Sequence, residues 1–188
     1  MNETDIVKML ADSGALLYGH FVLRSGLHSA RFFQAALVLQ YPDIAEKLCS
    51  FLAKKFEGIK VDTVLSPAIG GLIVGQELAK FAKAKAIFAE KESDNLVLRR
   101  GFCIKKGEKI LIAEDVVTRG GRVQQCIELA RSYGADVLGI AVLVDRSDSS
   151  VNFDVPLKSL LKLQIETHEP SDCPLCRKGL PLVKPGSK

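Results

Sequence analysis

The chain of 188 residues is 47% hydrophobic and 26% charged, a size and composition that predict one folded domain. Its formal net charge of +4 comes from the C-terminal segment 177–188, which holds four basic residues and no acidic one, so residues 1–176 are neutral overall. A neutral body does not favour a nucleic-acid partner. No apolar run approaches the roughly 20 residues of a membrane span, so no membrane association is expected.

The cysteines and the first residues bear on the compartment. Five cysteines are an odd number for a disulfide framework, and Cys49, Cys103 and Cys126 stand singly within apolar patterns. The polar, acidic start of the chain does not resemble a signal peptide. We therefore expect reduced thiols in a cytoplasmic protein.

The predicted elements alternate between helices and strands. Apolar residues at helical spacing predict a helix over 4–16, and alternating residues predict two short strands around a turn at 25–26. A proline start and a glycine end bound a second helix over 42–58. The later expectations are, in chain order, a strand over 61–65, a helix over about 72–83, a strand over 86–89, a charged segment over 90–100, an apolar segment over 101–104, a strand over 109–116, a helix over 121–134, a strand over 137–145 and a terminal strand over 160–167.

This order of elements predicts the fold class. Strands that alternate with helices are typical of an α/β fold with a mostly parallel central sheet and helices on both faces. No internal repeat divides the sequence, so residues 1–188 are expected to form a single domain.

The segment 110–122, with the sequence ILIAEDVVTRGGR, carries the strongest indication of function. A plain strand-to-helix turn would also favour Asp, Thr and Gly. However, adjacent carboxylates after a buried strand repel each other and lose hydration, which is costly without a ligand. The two glycines would let an anion approach backbone amides at a helix start. The pattern therefore favours a site for a sugar phosphate.

Four apolar residues, two acids, two apolar residues, Thr, a variable residue and Gly-Gly resemble the phosphoribosyl pyrophosphate (PRPP) motif of type I phosphoribosyltransferases. The resemblance implies that family's fold, whose sheet is covered by a small hood, here residues 1–40 and 150–180. It also implies that two carboxylates bind the ribose hydroxyls and that the loop 118–122 binds the 5′-phosphate. The implied PRPP-binding residues of the motif are Glu114, Asp115, Val116, Val117, Thr118, Arg119, Gly120, Gly121 and Arg122. Arg122 departs from the family, which usually has Thr or Ser at that place.

Further segments are similar to the family members that use orotate. The segment 19–29, followed by Phe32 and Phe33, resembles their N-terminal loop, which implies that the two rings pack on the pyrimidine and that Arg24 lies near the diphosphate. A hood hairpin with two core phenylalanines would explain the same pattern. The resemblance also implies that Arg146, together with Thr118, recognises orotate; an ordinary ion pair at a strand end is the alternative.

The charged segment 90–100 resembles the family's mobile catalytic loop, although a solvated charged hairpin has the same composition. Lys91 is the residue that matches, and the resemblance implies that it neutralises the leaving diphosphate, with Asp115 as the second catalytic residue. Arg99 and Arg100 are candidates for further charge, because the segment is shorter than the family's loop and has no histidine. The turn 66–71 offers backbone amides to the same diphosphate.

The implied reaction transfers the phosphoribosyl group from PRPP to orotate, giving orotidine 5′-phosphate and pyrophosphate for pyrimidine (UMP) biosynthesis. The resemblance further implies Mg²⁺ bound mainly through PRPP, and a homodimer whose subunits share their active sites. A phosphoribosyltransferase for another base and a regulator that senses PRPP on the same fold are the alternatives.

The pair Cys173 and Cys176 resembles half of a zinc knuckle. A structural zinc ion needs four ligands, and the candidates close in sequence are His168 and Asp172. A second CxxC pair is absent. A site shared between subunits, a reducible pair and plain thiols are all compatible with the sequence, so we assign no metal ligand from it.

Overall fold

The secondary structure of the chain follows the predicted alternation. The structure, a computed structural model, describes residues 2–23, 25–148 and 150–185. The elements are, in chain order, α1 (Glu3–Asp12), β1 (Leu16–Val22), β2 (His28–Phe33), α2 (Ala36–Leu39), α3 (Pro42–Lys54), β3 (Thr63–Pro67), α4 (Gly71–Ala82), β4 (Lys85–Glu92), β5 (Asn95–Leu98), β6 (Lys109–Val117), α5 (Gly121–Ser132), β7 (Asp136–Asp145), β8 (Leu157–Lys162), a 3₁₀ turn (Pro170–Asp172) and α6 (Pro174–Arg177).

The central sheet has six strands in the order β5-β4-β3-β6-β7-β8. All neighbouring strands are parallel except β5, which runs antiparallel to β4 at one edge. Helices α3 and α4 pack on one face of the sheet and α5 on the other. The predicted α/β architecture is confirmed.

Strand β6 explains why the sheet needs cover on both faces. Its residues alternate between two cores: Leu111 and Ala113 face the core beneath α3 and α4, whereas Ile110 and Ile112 face the core beneath α5. Such a continuous apolar run is typical of a parallel strand buried on both sides. The polar residues that follow are therefore held at the carboxyl edge of a rigid strand.

The hairpin of β1 and β2 forms a separate two-stranded sheet. The chain's C-terminal segment runs along both of its edges. His28 and His168 exchange two backbone hydrogen bonds of 2.9 Å, and Val183 accepts a bond of 3.0 Å from Val22. The hairpin and the C-terminal segment are thus joined by backbone hydrogen bonds.

Some predicted bounds were wrong. The first helix ends at Asp12 instead of residue 16, because Ser13 caps it and Gly14 adopts a left-handed conformation with φ of 73°. The apolar segment 101–104 forms no strand: the amide of Phe102 donates to the carbonyl of Arg99 in a turn, and the Phe102 ring packs on Phe88 at 5.0 Å between centroids.

The charged segment 90–100 forms a hairpin of β4 and β5, which was the alternative to a mobile loop in the sequence analysis. The terminal strand covers Leu157–Lys162 and not 160–167, although Leu163 and Ile165 still pack in the core beyond it. In the described ranges no helix has the length and apolar composition that spanning a bilayer requires.

Candidate active site

A cavity of about 410 Å³ lies where β6 ends and α5 begins. Gly120 precedes α5 in the left-handed region, with φ of 73°, and so turns the chain sharply from the strand into the helix. The first backbone N–H groups of a helix have no partner within it and can bind an anion. The cavity is lined by Lys91, Asp94, Glu114, Val116, Val117, Thr118, Arg119, Gly120, Gly121, Arg122, Val123 and Gln125.

The two carboxylates differ in environment. Glu114 lines the cavity and is buried, and its Oε1 accepts a bond of 3.0 Å from the Asp115 amide. Asp115 is half-buried, and its Oδ1 accepts a bond of 2.8 Å from the amide of Val116. Burial, and then the adjacent Asp115 carboxylate, raises the pKa of Glu114 well above its usual range. The pair is therefore strained in the free chain and suited to a ligand that carries hydroxyl groups.

The turn after β3 contacts the carboxylates closely. A Cβ at Gly70 would lie 2.9 Å from Oδ1 of Asp115, and one at Gly71 would lie 2.9 Å from the carbonyl oxygen of Ala113. Both glycines are thus required by space. Arg122, which replaces the family's hydroxyl residue, reaches toward this turn, with Nη1 3.5 Å from the carbonyl oxygen of Ala68. The predicted backbone site at 66–71 lies beside the motif.

The β4–β5 hairpin closes another side of the cavity. Lys91 lines the cavity of its own chain. The hairpin tip is fastened to α5, because Gln125 Nε2 donates a bond of 2.7 Å to the carbonyl of Asp94. Arg100 pairs with Glu90 at 2.8 Å, and Arg99 pairs with Glu92. Lys91 is therefore the hairpin cation that faces the cavity, while the two arginines hold the hairpin together.

The residues predicted for orotate lie outside the cavity lining, apart from Thr118. Arg146 directly follows β7, and its amide donates a bond of 2.8 Å to the carbonyl of Val117. Its Nε is buried and has no hydrogen-bond partner among the described residues, and burial lowers its pKa. Phe33 is 5% exposed and packs in the core, so only Phe32 of the aromatic pair has surface to offer. Arg24 lies outside the described residues.

Three residues of the cavity lining were not predicted from the sequence: Asp94, Val123 and Gln125. Gln125 stands four residues after Gly121, one helical turn along α5, so the predicted helix could have indicated it. Asp94 lies at a hairpin tip, and its position depends on β4–β5 pairing that the charged composition concealed.

The donor set fits a magnesium ion carried by a substrate. Glu114 faces the cavity with Asp115 beside it, and both supply carboxylate oxygens. A hard cation such as Mg²⁺ binds oxygen ligands and keeps several waters or substrate oxygens. Glu114 and Asp115 would hold it together with the sugar hydroxyls.

Comparison with known proteins identifies the class of fold and site. A model of the phosphoribosyl transferase domain matches residues 37–174, and the chain belongs to this family. Its fold is the type I phosphoribosyltransferase fold. The orotate phosphoribosyltransferase of Aeropyrum pernix has a similar structure, with a TM-score of 0.74, 24% identity and coverage of 84% of this chain and 93% of that one. An adenine phosphoribosyltransferase from Thermoanaerobacter pseudethanolicus is also similar, with a TM-score of 0.62, 20% identity and coverage of 71% and 88%.

Sequence relatives narrow the class further. The chain is 50% identical to the orotate phosphoribosyltransferase of Caldicellulosiruptor bescii over 188 residues, which are all of this chain and 99% of the relative. It is 45% identical to the orotate phosphoribosyltransferase of Thermotoga maritima over 183 residues, or 97% of this chain and 98% of the relative. The similarity thus extends over nearly the whole length of this chain and of both relatives.

Proposed function

We propose that the chain transfers the phosphoribosyl group from PRPP to orotate, forming orotidine 5′-phosphate and pyrophosphate in pyrimidine biosynthesis. The observation that carries the proposal is the arrangement around one cavity, which is lined by a glycine-containing helix start, by Glu114 with Asp115 beside it, and by Lys91. The end-to-end identity with orotate phosphoribosyltransferases supports orotate as the acceptor.

The proposed binding of PRPP follows from these positions. The amides at the start of α5 and the Thr118 hydroxyl hold the 5′-phosphate. Asp115 accepts hydrogen bonds from the ribose hydroxyls, while Glu114, whose raised pKa favours the protonated form in the free chain, can both donate and accept there. Lys91, which lines the cavity, and the amides of the turn 66–71, which lies beside Asp115, bind the diphosphate.

Catalysis then rests on positioning and electrostatics. Cleavage of the bond from C1 to the diphosphate builds positive charge on the ribose and negative charge on the leaving group. Lys91 stabilises the leaving group as this charge develops. A magnesium ion held by Glu114 and Asp115 would supply further neutralisation of the negative charge on the leaving group. The β4–β5 hairpin, fastened to α5 through Gln125 and Asp94, keeps water from the reactive ribosyl cation.

Arg146 is proposed to recognise the orotate carboxylate. Its guanidinium is planar, and its buried Nε has no hydrogen-bond partner among the described residues. A planar anion with two acceptor atoms, such as a carboxylate, would supply that partner. The amide of Arg146 donates to the carbonyl of Val117. Because Thr118 follows Val117, it lies between the proposed orotate site and the phosphate site.

A direct assay tests the reaction. The protein is mixed with orotate, PRPP and Mg²⁺, and the loss of orotate absorbance is followed against a mixture without PRPP. We expect a PRPP-dependent loss. If the change in orotate absorbance is the same with and without PRPP at every protein concentration, the enzymatic proposal is refuted. Binding of PRPP without turnover would then favour a sensing regulator. Tighter binding of adenine, hypoxanthine or xanthine than of orotate would instead move the assignment to another base.

Substitution of Lys91 tests the role of the hairpin cation. Lys91→Ala should lower kcat about 100-fold or more, because a charge that stabilises the leaving group is lost, while orotate affinity changes little. Lys106→Ala is the matched control, since Lys106 is exposed before the start of β6, away from the cavity. Equal kcat values for the two variants would remove Lys91 from the reaction.

The working state is proposed to be a cytoplasmic homodimer. All five cysteines are free thiols, which suits a reducing compartment. Two apolar side chains are exposed here, Ile69 in the turn before α4 by 81% and Ile73 in the first turn of α4 by 43%, and Ile73 also lines a partly apolar cavity. Burial of this surface between two copies would stabilise a dimer. Sedimentation velocity should show a dimer that Ile73→Glu weakens; a monomer at micromolar concentration would contradict the proposal.

A further inference from the structure

Four potential metal ligands meet outside the PRPP cavity, where the hood hairpin contacts the C-terminal segment. They are His20 of β1, His28 of β2, and Cys173 and Cys176 at the start of α6, and one ligand atom of each lies within 4.8 Å of all the others. None of the four lines the cavity of the proposed active site. We propose that this cluster, the hood clip, binds one structural zinc ion.

The distances between the ligand atoms match a tetrahedron around zinc. With Zn–N of about 2.0–2.1 Å and Zn–S of about 2.3 Å, tetrahedral angles give about 3.3 Å between two nitrogens and about 3.6 Å between nitrogen and sulfur. His20 Nε2 lies 3.0 Å from His28 Nδ1 and 3.6 Å from each cysteine sulfur, and His28 Nδ1 lies 3.3 Å from the Cys176 sulfur. Shifts of a few tenths of an ångström would complete the coordination.

The orientation of His20 is fixed in the form that a metal requires. Its Nδ1 lies 2.9 Å from the carbonyl oxygen of Leu180, which can only accept, so Nδ1 carries the proton. The Nε2 atom is then left with its lone pair directed at the cluster. A backbone carbonyl that binds the second nitrogen of a metal-bound histidine is a common feature of zinc sites.

The composition and burial of the hood clip select zinc and a structural role. Two sulfur and two nitrogen donors in a tetrahedral arrangement suit Zn²⁺, whereas Mg²⁺ prefers oxygen ligands, so the magnesium of the assay would not compete. Cys173, His20 and His28 are buried to 5% exposure or less. Four protein ligands leave no open position for substrate, which is the pattern of structural sites.

The zinc would fasten parts of the chain that are far apart in sequence. His20 and Cys173 are separated by 153 residues. Two of its ligand residues already bond to the C-terminal segment through their backbone, His28 to His168 and His20 to Val183, so the clip reinforces an existing contact. The sequence neighbours first considered as ligands, His168 and Asp172, lie outside it; Asp172 binds Arg177 at 2.6 Å.

Metal analysis of the full-length protein tests the proposal. Protein purified without chelator and reconstituted with zinc under reducing conditions should hold about one zinc per chain after desalting, because the four ligands form a single site. Cobalt substituted for zinc should give the visible absorption of tetrahedral Co²⁺ with thiolate ligands. These measurements use the unaltered chain and do not depend on the proposed enzymatic activity.

Substitutions then locate the ion. Cys176→Ser and His28→Gln should each lose most of the zinc, and chelation should lower the thermal midpoint of the unaltered chain by several degrees but leave that of Cys176→Ser unchanged. Cys103→Ser is the matched control, because Cys103 is an exposed free cysteine outside the clip, and His168→Gln is the second; both should keep the metal.

Several results would overturn the zinc clip. They are retention of zinc by Cys176→Ser and His28→Gln at the level of the controls, absence of zinc from the reconstituted chain, iron in place of zinc, and a Cys173–Cys176 disulfide in protein prepared with reductant and zinc. A PRPP-dependent reaction in a zinc-free chain would leave the proposed function intact while refuting the clip.

Discussion

Replacing Gly120 by alanine should damage the loop between β6 and α5, whereas the same change at Gly121 should not. Gly120 has φ of 73°, a region that L-residues with a Cβ rarely adopt. An added Cβ would also lie 2.7 Å from Cζ of Phe153 and 3.0 Å from Cγ1 of Val151. At Gly121, the first residue of α5, an added Cβ meets nothing within 4 Å and φ lies outside the left-handed region.

The magnitude follows from these two penalties. The left-handed conformation costs an alanine about 1–2 kcal/mol, and forcing Phe153 and Val151 apart costs about 1–3 kcal/mol by analogy with overpacked cores. Gly120→Ala should therefore lower the free energy of unfolding by about 2–5 kcal/mol. Gly121→Ala should be neutral or raise it by up to about 1 kcal/mol, because alanine favours the helix more than glycine does.

Urea unfolding followed by circular dichroism, without ligand, measures both variants against the unaltered chain. In thermal unfolding, Gly120→Ala should shift the midpoint downward by at least roughly 4 °C, since 1 kcal/mol corresponds to about 2–4 °C in a chain of this size. The KM for PRPP should also rise for Gly120→Ala, because the displaced turn moves the phosphate-binding amides. If the two alanine variants unfold at the same urea concentration, the left-handed turn and its contacts do not set the stability of this loop.

Two further predictions concern buried carboxylates. Because the pKa of Glu114 is raised on folding, the folded state is destabilised as pH rises above about 4.5, by up to about 1.4 kcal/mol per pH unit until the folded pKa is reached. In urea unfolding between pH 5 and 7, Glu114→Gln should therefore gain stability relative to the unaltered chain as pH rises, while it binds PRPP more weakly. A difference in stability that does not change with pH would contradict this prediction. Burial raises the pKa of Glu108, but bonds from Lys85 at 2.7 Å, from Thr63 and from the Lys105 amide outweigh burial and lower the pKa to about 2. The resulting stabilisation is present above pH 4.5 and is lost as pH falls through the folded pKa, so on acidification the free energy of unfolding of the unaltered chain should fall by up to about 3 kcal/mol more than that of Glu108→Gln. An equal fall in the two proteins would show that these bonds do not favour the charged form.

The sequence predicted the parts of the molecule that depend on neighbouring residues. The buried strand β6, the glycine turn and α5 follow from apolar periodicity and from residues that favour one backbone conformation. The apolar pattern of 101–104 does not by itself specify a structure: Phe102 packs on Phe88 from a turn and pairs with no strand. The short α2 covers a single turn, too little for a helical period to be visible.

Long-range contacts account for the rest. The sequence contains His20, His28, Cys173 and Cys176 as possible ligands, but the two pairs are about 150 residues apart. No pattern of neighbouring residues indicates that the fold brings the two pairs together. Lys91 in the cavity of its own chain likewise depends on the pairing of β4 with β5. Phe33 resembled a ligand-contacting aromatic in the pattern, yet the fold buries it in the core.

The alternation of β6 between two cores has a consequence for how such a chain can diverge. Insertion or deletion of one residue between Lys109 and Glu114 would exchange the two faces of the strand and turn the carboxylates through half a rotation, away from the sugar site. Side chains here can be exchanged for others of similar volume, but the number of residues cannot change. Variation in length is therefore confined to the connecting turns. The number of residues from the start of β6 to the start of α5 must stay constant for the site to form.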